Sequence, residues 1–338
     1  MNIIIVGFGA VGKHYFKLLK SKSKKIYILD NKKIPGNKHY KVISIEEIIN
    51  KKLFFKFAII ATPSGLHYKH AHFFLKRGSH VLIEKPFVLK LSHAKTLISL
   101  SRKKNLKCWT ALQNRYNLAT SFLKKEIKKK SIGDIALVDC TMIWSRTNEY
   151  YKTSWRGNYK TDGGVLTNQS IHLLDMLIYN FGEVASFDVL AGFNKKKLQA
   201  EDIIVINFKH KNGILSNFKA TTRADNDYRS AIDIIGTKGR IIVKGISLNT
   251  FHKFRNKDLL FYKKYSEEFN LGMGPISGMG FGHKKLLDEF LNEKLKSSKD
   301  LEIEKNYYLL KLIHSIYNVV FNKKKLNKII NKNSLLGI

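Results

Sequence analysis

The sequence predicts an α/β protein in two parts: an N-terminal doubly wound parallel sheet, then an α+β domain with a mainly antiparallel sheet. Three observations predict it. Short apolar runs alternate with amphipathic stretches through the first third of the chain, the rhythm of β-α-β units. A glycine-rich turn follows the first apolar run directly. Beyond about residue 180, strand-like runs succeed one another without helices, joined by Lys211-Asn212-Gly213 and Thr237-Lys238-Gly239, which favours antiparallel pairing. The rhythm changes at Gln113-Asn114-Arg115-Tyr116, so the domains are placed at 1–115 and 116–338, with C-terminal helices free to pack back on the first.

Asn2 to Val6 is an apolar strand, followed by Gly7-Phe8-Gly9-Ala10-Val11-Gly12 and a helix through about Lys20. This is the dinucleotide fingerprint of the Rossmann arrangement in its required setting. The first Gly makes the turn, the second admits a pyrophosphate, the third lets helix and strand approach. The helix N-terminus supplies N–H donors to phosphate. A second strand, Ile26 to Leu29, ends in Asp30, whose carboxylate suits ribose hydroxyls and repels a 2′-phosphate, which favours NAD over NADP as cofactor; Lys32 and Lys33 behind it weaken that preference. Ser44 and Glu47 form a capping box for a short helix. Strand Phe57 to Ala61 ends in Thr62-Pro63-Ser64-Gly65, and the helix to about Lys76 carries His67, His70 and His72. His70 and His72 cannot both share the face of His67, so no metal site is assigned. Strand Val81 to Ile83 ends in Glu84-Lys85-Pro86, at the carboxyl edge where ligands sit in such sheets. A helix over Ser92 to Lys104 and a strand over Lys107 to Ala111 complete this half.

In the second half a helix to about Lys130 precedes a long strand, Asp134 to Trp144; strands follow near 184–193, 201–209, 213–222 and 229–236. The glycine-rich 272–282 segment is a loop, and helices near 283–294 and 302–322 close the chain. Between strands lies Trp155-Arg156-Gly157, then Asp162-Gly163-Gly164 and a predicted amphipathic helix with Leu166, Leu173, Leu174 and Leu177 facing a core. Asn168 and His172 are spaced i,i+4 on one face, with Asp175 a turn beyond. Alone, that pattern also fits a core histidine tying two elements together.

Composition narrows the classes. At 44% hydrophobic over 338 residues, the chain can bury two cores. No apolar run reaches membrane-spanning length and no leader-like stretch opens the sequence; Cys108 and Cys140 have neither disulfide nor metal spacing. A cytoplasmic protein without a membrane partner is expected. Net charge is +35, but only nine of 61 basic residues are Arg, and the Lys runs at 22–25, 128–130, 195–197 and 323–325 are dispersed. That is compositional bias rather than a nucleic-acid surface, although a positive field attracts anionic small molecules.

Glu84-Lys85-Pro86 at a strand end, after an N-terminal G-x-G-x-x-G and before a Gly-Gly…His-x-x-Asp stretch, resembles the Gfo/Idh/MocA oxidoreductases over nearly the whole chain. The resemblance implies a C-terminal sheet that serves a homo-oligomer, dimer or tetramer. It puts Lys85 near the nicotinamide, His172 as the catalytic histidine, and Asn168 where many members carry Asp. It adds Thr62, Pro63, His67 and Glu84 to the glycine turn and Asp30 around the cofactor. Arg115, Tyr116, Trp155, Arg156 and Gln169 join Lys85, Asn168 and His172 around substrate. It also implies a cis Lys85–Pro86 bond. Tyr150-Tyr151, Trp155-Arg156-Gly157 and Asn168-Gln169 are similar to the branch of UDP-N-acetylglucosaminuronate 3-dehydrogenases, while Ser170 and Asn117 depart from it, standing where Gly and Pro are usual.

Dehydrogenating an alcohol requires a base for the hydroxyl proton. Lys85 can serve if burial or a neighbouring cation depresses its pKa; His172 starts from a reference value of about 6.5. In a chain that uses Lys for most positive charge, Arg115, Arg156, Arg223 and Arg229 stand out as two-pronged anion binders. Three functions compete: an NAD-linked dehydrogenase of an anionic nucleotide sugar, one of a free polyol or hexose, and a non-catalytic NAD-binding regulator.

Overall fold

Apolar runs of four or five residues build a sheet that is dry on both faces. Ile3, Ile4 and Ile5 in β1 (Asn2–Val6) and all of β4 (Phe57–Ile60) are fully buried, as expected for parallel strands covered by helices on either side. The structure, a computed structural model, describes residues 2–22, 25–36, 38–153, 155–194, 199–254, 282–292, 299–322, 334 and 336–337. The expected glycine-rich loop over 272–282 lies outside the described residues except for Gly282.

The chain folds as two units. The first comprises Met1–Ala111 and Lys284–Tyr308, the second Leu112–His283 and Leu309–Ile338. The division therefore falls after Ala111 rather than after Arg115, and one C-terminal stretch returns to the first unit. In that unit β1, β2 (Lys25–Leu29), β3 (Lys41–Val42), β4, β5 (His80–Ile83) and β6 (Cys108–Thr110) pair in parallel in the order β3-β2-β1-β4-β5-β6. Strand order reverses at β1, which is the switch point that places a ligand crevice beyond the strands' carboxyl ends. The helices are α1 (Ala10–Leu19), α2 (Ile45–Asn50), α3 (His67–Lys76) and α4 (Leu91–Lys103). Ser44 Oγ caps α2 by accepting from the Glu47 N–H at 3.1 Å, while the Glu47 carboxylate meets Lys51 instead of closing the capping box.

The predicted helix over 302–322 begins late. Leu301-Glu302-Ile303-Glu304 alternates apolar and charged residues; Glu302 bridges antiparallel to Trp109, and the Ile303 N–H donates to the Cys108 carbonyl at 3.0 Å. Period two won over helix continuation.

In the second unit, α5 (Leu118–Lys128), β7 (Ile135–Ile143), α6 (Asn148–Tyr151) and α7 (Ile171–Phe181) precede β8 (Val184–Gly192), β9 (Ile203–His210), β10 (Leu215–Thr221) and β11 (Arg229–Gly236). Two further strands, β12 (Gly239–Lys244) and β13 (Thr250–Phe254), continue the sheet; of the helices that follow, α8 (Gly282–Leu291) falls almost wholly in the first unit and α9 (Tyr307–Asn322) almost wholly in the second. The sheet order is β13-β12-β11-β7-β10-β9-β8, antiparallel except for the parallel β7–β10 pair. One face alternates Val138, Cys140, Phe218, Ile232 and Ile234 into the core with Leu173, Leu174 and Leu177 of α7. Leu137, Leu190, Leu215 and Ile235 on strands of this sheet are exposed.

Candidate active site

In the first unit the glycine turn is shaped by its neighbours. Gly7 has φ +93°, and a Cβ there would lie 2.6 Å from the Ala61 carbonyl oxygen. A Cβ at Gly12 would overlap the Gly7 carbonyl, whereas one at Gly9 would meet nothing within 4 Å. Gly9 is therefore not required by protein packing. It caps α1, whose first turn holds no acidic side chain and receives no side-chain cap. Unopposed N–H groups at a helix N-terminus, behind a backbone with no Cβ in the way, fit the pyrophosphate of a dinucleotide. Asp30, half-buried, accepts from the Phe8 N–H at 2.6 Å on one oxygen and the Lys32 N–H at 2.8 Å on the other. Each oxygen keeps lone-pair capacity for a ribose hydroxyl.

The strand ends β4 and β5 are tied together by His67. Its ring is buried, with Nδ1 2.8 Å from the Pro86 carbonyl and Nε2 2.8 Å from the Thr62 carbonyl. Burial lowers its pKa even though both carbonyls favour a proton, and a neutral ring donates to only one of them. Both ring nitrogens of His67, expected near the cofactor, face carbonyls of the chain itself. Thr62 Oγ1 lies 3.2 Å from His70 Nδ1; burial lowers the His70 pKa to about 4. Pro63 precedes the short turn Ser64–Leu66 that starts α3. Glu84, buried, accepts from the Tyr15 hydroxyl of α1 at 2.8 Å and from the Lys85 N–H at 3.3 Å. Lys85 is half-buried at the carboxyl end of β5, and its bond to Pro86 is cis. Among the described residues no group of three or more His, Cys, Asp or Glu is gathered for a metal ion.

In the second unit the expected helix over the Gly-Gly stretch starts later. Residues 165–169 form a turn, and α7 begins at Ile171. Asn168 and His172 thus do not share a helical face. Asn168 Nδ2 instead donates to Asp162 Oδ2 at 2.6 Å, and that oxygen also accepts from the Gly157 N–H at 3.3 Å. His172 Nε2 lies 3.1 Å from the side-chain amide of Gln113, a buried residue two positions past Ala111, in the second unit. Nothing in the sequence around Gln113 marks it as the partner of His172, 59 residues away.

Arg115 is committed elsewhere than expected. Its Nε donates to Asp175 Oδ2 at 2.9 Å, its Nη2 bonds the other oxygen, and the guanidinium lies over Tyr179. The two-pronged contact predicted for substrate is made with the chain. Tyr116 is half-buried at the end of the same turn. Arg156 is different. Its guanidinium carbon lies 4.0 Å from the centre of the Tyr150 ring and 4.8 Å from that of the Trp155 ring, with Nη1 donating to the Tyr150 carbonyl at 3.1 Å. Its Nε is buried without a hydrogen-bond partner among the described residues. Arg102, Arg115, Arg146, Arg223 and Arg240 each hold a carboxylate; Arg156 holds none among the described residues. Gln169 Nε2 donates to the Tyr150 hydroxyl at 3.3 Å, so Tyr150 links Gln169 to Arg156. Arg223, a second candidate anion binder, is occupied by Asp202 at 2.7 Å.

Residues 1–112 match the family model described as oxidoreductase family, NAD-binding Rossmann fold, and residues 121–242 that of the GFO/IDH/MocA C-terminal domain. An uncharacterized oxidoreductase of Synechocystis sp. is 25% identical over 210 residues, 58% of this chain and 57% of its own. The scyllo-inositol 2-dehydrogenase (NADP(+)) IolW of Bacillus subtilis is 28% identical over 141 residues, 42% of this chain and 38% of its own. The chain thus spans about half, or less, of the length of these curated relatives. The crystal structure of the WlbA dehydrogenase from Bordetella pertussis, in complex with NADH and UDP-GlcNAcA, has a TM-score of 0.84 over 98% of both chains at 22% identity, a likeness of fold.

Proposed function

This chain belongs to the GFO/IDH/MocA oxidoreductase family, and from that premise we propose that it is an NAD-dependent dehydrogenase of a nucleotide-linked sugar. The substrate is a UDP-linked N-acetylated uronic acid, oxidised at the C3 hydroxyl to a ketone in surface-polysaccharide biosynthesis. The observation that carries the anionic substrate is Arg156: a half-buried guanidinium held against the rings of Tyr150 and Trp155, with no carboxylate of the described residues against it. A fork held this way presents its edge to a carboxylate or phosphate at little entropic cost. The fold likeness to WlbA, whose structure holds NADH and UDP-GlcNAcA, supports the same class.

Oxidising the alcohol removes a proton from oxygen and a hydride from carbon. NAD, when bound, takes the hydride. The chain must take the proton, and Lys85 and His172 are the side chains assigned to that work. Glu84, tethered by Tyr15, fixes the backbone at Lys85; Gln113 holds the His172 ring. Asn168 cannot accept a proton as an aspartate would, so its part is to orient through hydrogen bonds.

The exposed Leu137, Leu190, Leu215 and Ile235 fit a sheet-mediated homo-oligomer, which light scattering would reveal as a mass at least twice 39.0 kDa. Cys108 and Cys140 are free and buried, in keeping with a reducing cytoplasm. Among the described residues no helix is long and apolar enough to cross a membrane. The deciding experiment follows NADH absorbance with UDP-N-acetylglucosaminuronate, UDP-N-acetylglucosamine, scyllo-inositol and glucose. The uronate is expected to give the highest kcat/KM; a free polyol or hexose in first place would replace the substrate and leave the dehydrogenase.

A further inference from the structure

Beneath the turn that carries Asn168 and Gln169 lies one buried carboxylate, Glu201, which is 1% exposed at the entrance to β9. Four groups converge on its side chain and backbone. Oε1 accepts from the Leu166 N–H at 2.9 Å and from the Tyr317 hydroxyl at 3.0 Å. Oε2 accepts from the Tyr159 hydroxyl at 2.8 Å. The Glu201 N–H donates back to Tyr159 at 2.9 Å, and its carbonyl accepts from the Val165 N–H at 2.9 Å. Because Tyr317 spends its only hydroxyl proton on Glu201, Thr167 must donate to it at 2.7 Å, as the Gly164 N–H does at 3.3 Å. Gly164, Leu166 and Thr167 are thus tied, directly or through Tyr317, to one carboxyl group, and Val165 to the backbone carbonyl of the same residue.

This arrangement accounts for the glycine pair. A Cβ at Gly164 would overlap the Glu201 carboxylate, and Gly163, at φ +89°, would bring one to 2.7 Å of the Thr167 side chain. The pair admits the chain's own glutamate rather than a ligand. No lysine or arginine of the described residues forms an ion pair with Glu201, and the titratable groups that face it are Tyr159 and Tyr317. Burial accordingly pushes its carboxyl up to about 7 and both phenols upward.

We propose that Glu201 is a positioning residue for the dehydrogenation, acting through the 163–170 turn that presents Asn168 and Gln169 and leads into His172. The kinetic part rests on the function proposed above; the structural part does not. In the full-length protein, Glu201→Gln keeps the shape but cannot serve every donor, and Tyr317→Phe removes the hydroxyl that ties Gly164 and Thr167 to the carboxylate. Amide hydrogen exchange over 163–170 is expected to rise about tenfold or more in both, with β1 and α1 unchanged. The kcat on the preferred substrate should fall about 10- to 100-fold, the scale of small misplacement, while NADH affinity by fluorescence stays the same. A readout independent of substrate comes from pH. The fold favours the neutral carboxyl, so wild-type stability falls as pH rises from 4.5 to about 7 and levels off above, a slope that Glu201→Gln should lack. Unchanged exchange over 163–170 in both variants overturns the proposal, as does a loosened turn with undiminished kcat. If scyllo-inositol proves the substrate, the function reading fails separately, and the same kcat loss is expected on that polyol.

Discussion

Gly7–Gly12 in the first unit and Asp162–Gly164 in the second both break the chain before a helix, yet different things lie behind their missing side chains. At Gly9 the space a Cβ would take is open; at Gly164 it is filled by the Glu201 carboxylate. The first turn leaves its helix N–H groups without a side-chain cap, while the second gives its N–H groups to Glu201 and Tyr317. One is built to receive a ligand. The other is built around a glutamate of the chain itself. Glycine in a turn does not identify a phosphate site until its surroundings are known.

The largest effects expected test whether chemistry is shared by the two units. Lys85→Met in the first and His172→Asn in the second should each lower kcat by about 10² to 10⁴, the range for losing a general acid–base group. Dinucleotide affinity should stay close to wild type in both. Steady-state NADH formation and fluorescence titration separate the two quantities. Near-normal turnover in either variant would confine the proton work to one unit.

Next comes the glycine contrast itself. Gly164→Ala drives a methyl into Glu201 and should destabilise the protein by about 1–3 kcal/mol, the ordinary cost of overpacking. Gly9→Ala meets no protein atom within 4 Å, so its thermal midpoint should barely move while NADH binding weakens. A large loss of stability at Gly9 with intact NADH binding would invert the comparison. Within the first turn, Asp30→Ala removes the acceptor for Phe8 and Lys32 N–H groups and for ribose, and should weaken NAD by about 1–3 kcal/mol. NADP should lose less or gain. Equal wild-type affinities for NAD and NADP would mean that Lys32 or Lys33 governs the choice.

The two units also differ in how far they could be read from sequence. In the first, turn, helix, second strand and Asp30 lie within thirty residues, and each determinant is local: an apolar run, a glycine, an acid at a strand end. Lys41–Val42 is not legible as a strand because two residues carry no period. In the second unit the decisive partners are remote. Leu166 meets Glu201 at a separation of 35 residues, and Gly164 meets Tyr317 at 153. Helical spacing at Asn168 and His172 misled because Glu201 claims the Val165 and Leu166 N–H groups, holding this stretch as a turn before α7. Arg115 stands out in a lysine-rich chain, but spacing does not show that Asp175, 60 residues away, takes its fork. Glu201 left no local signal at all: an acid before Asp202 at a strand entrance looks like surface.

The smallest effect expected is the most specific. Arg156→Lys keeps the charge but loses the planar fork and the contacts with Tyr150 and Trp155. Toward an anionic sugar the loss should be about 1 kcal/mol, roughly fivefold in kcat/KM, because Lys still offers Coulomb attraction and one donor. Toward an uncharged analogue it should be smaller, since stacking alone then changes. The comparison of UDP-N-acetylglucosaminuronate with UDP-N-acetylglucosamine isolates the uronate carboxylate, as both keep the diphosphate. A selective loss with the uronate assigns Arg156 to the carboxylate. An equal loss with both assigns it to the diphosphate, and no loss with either removes the guanidinium from substrate binding. The first unit's part is untouched by this change, so NADH affinity serves as the internal control: it should be the same in Arg156→Lys and wild type.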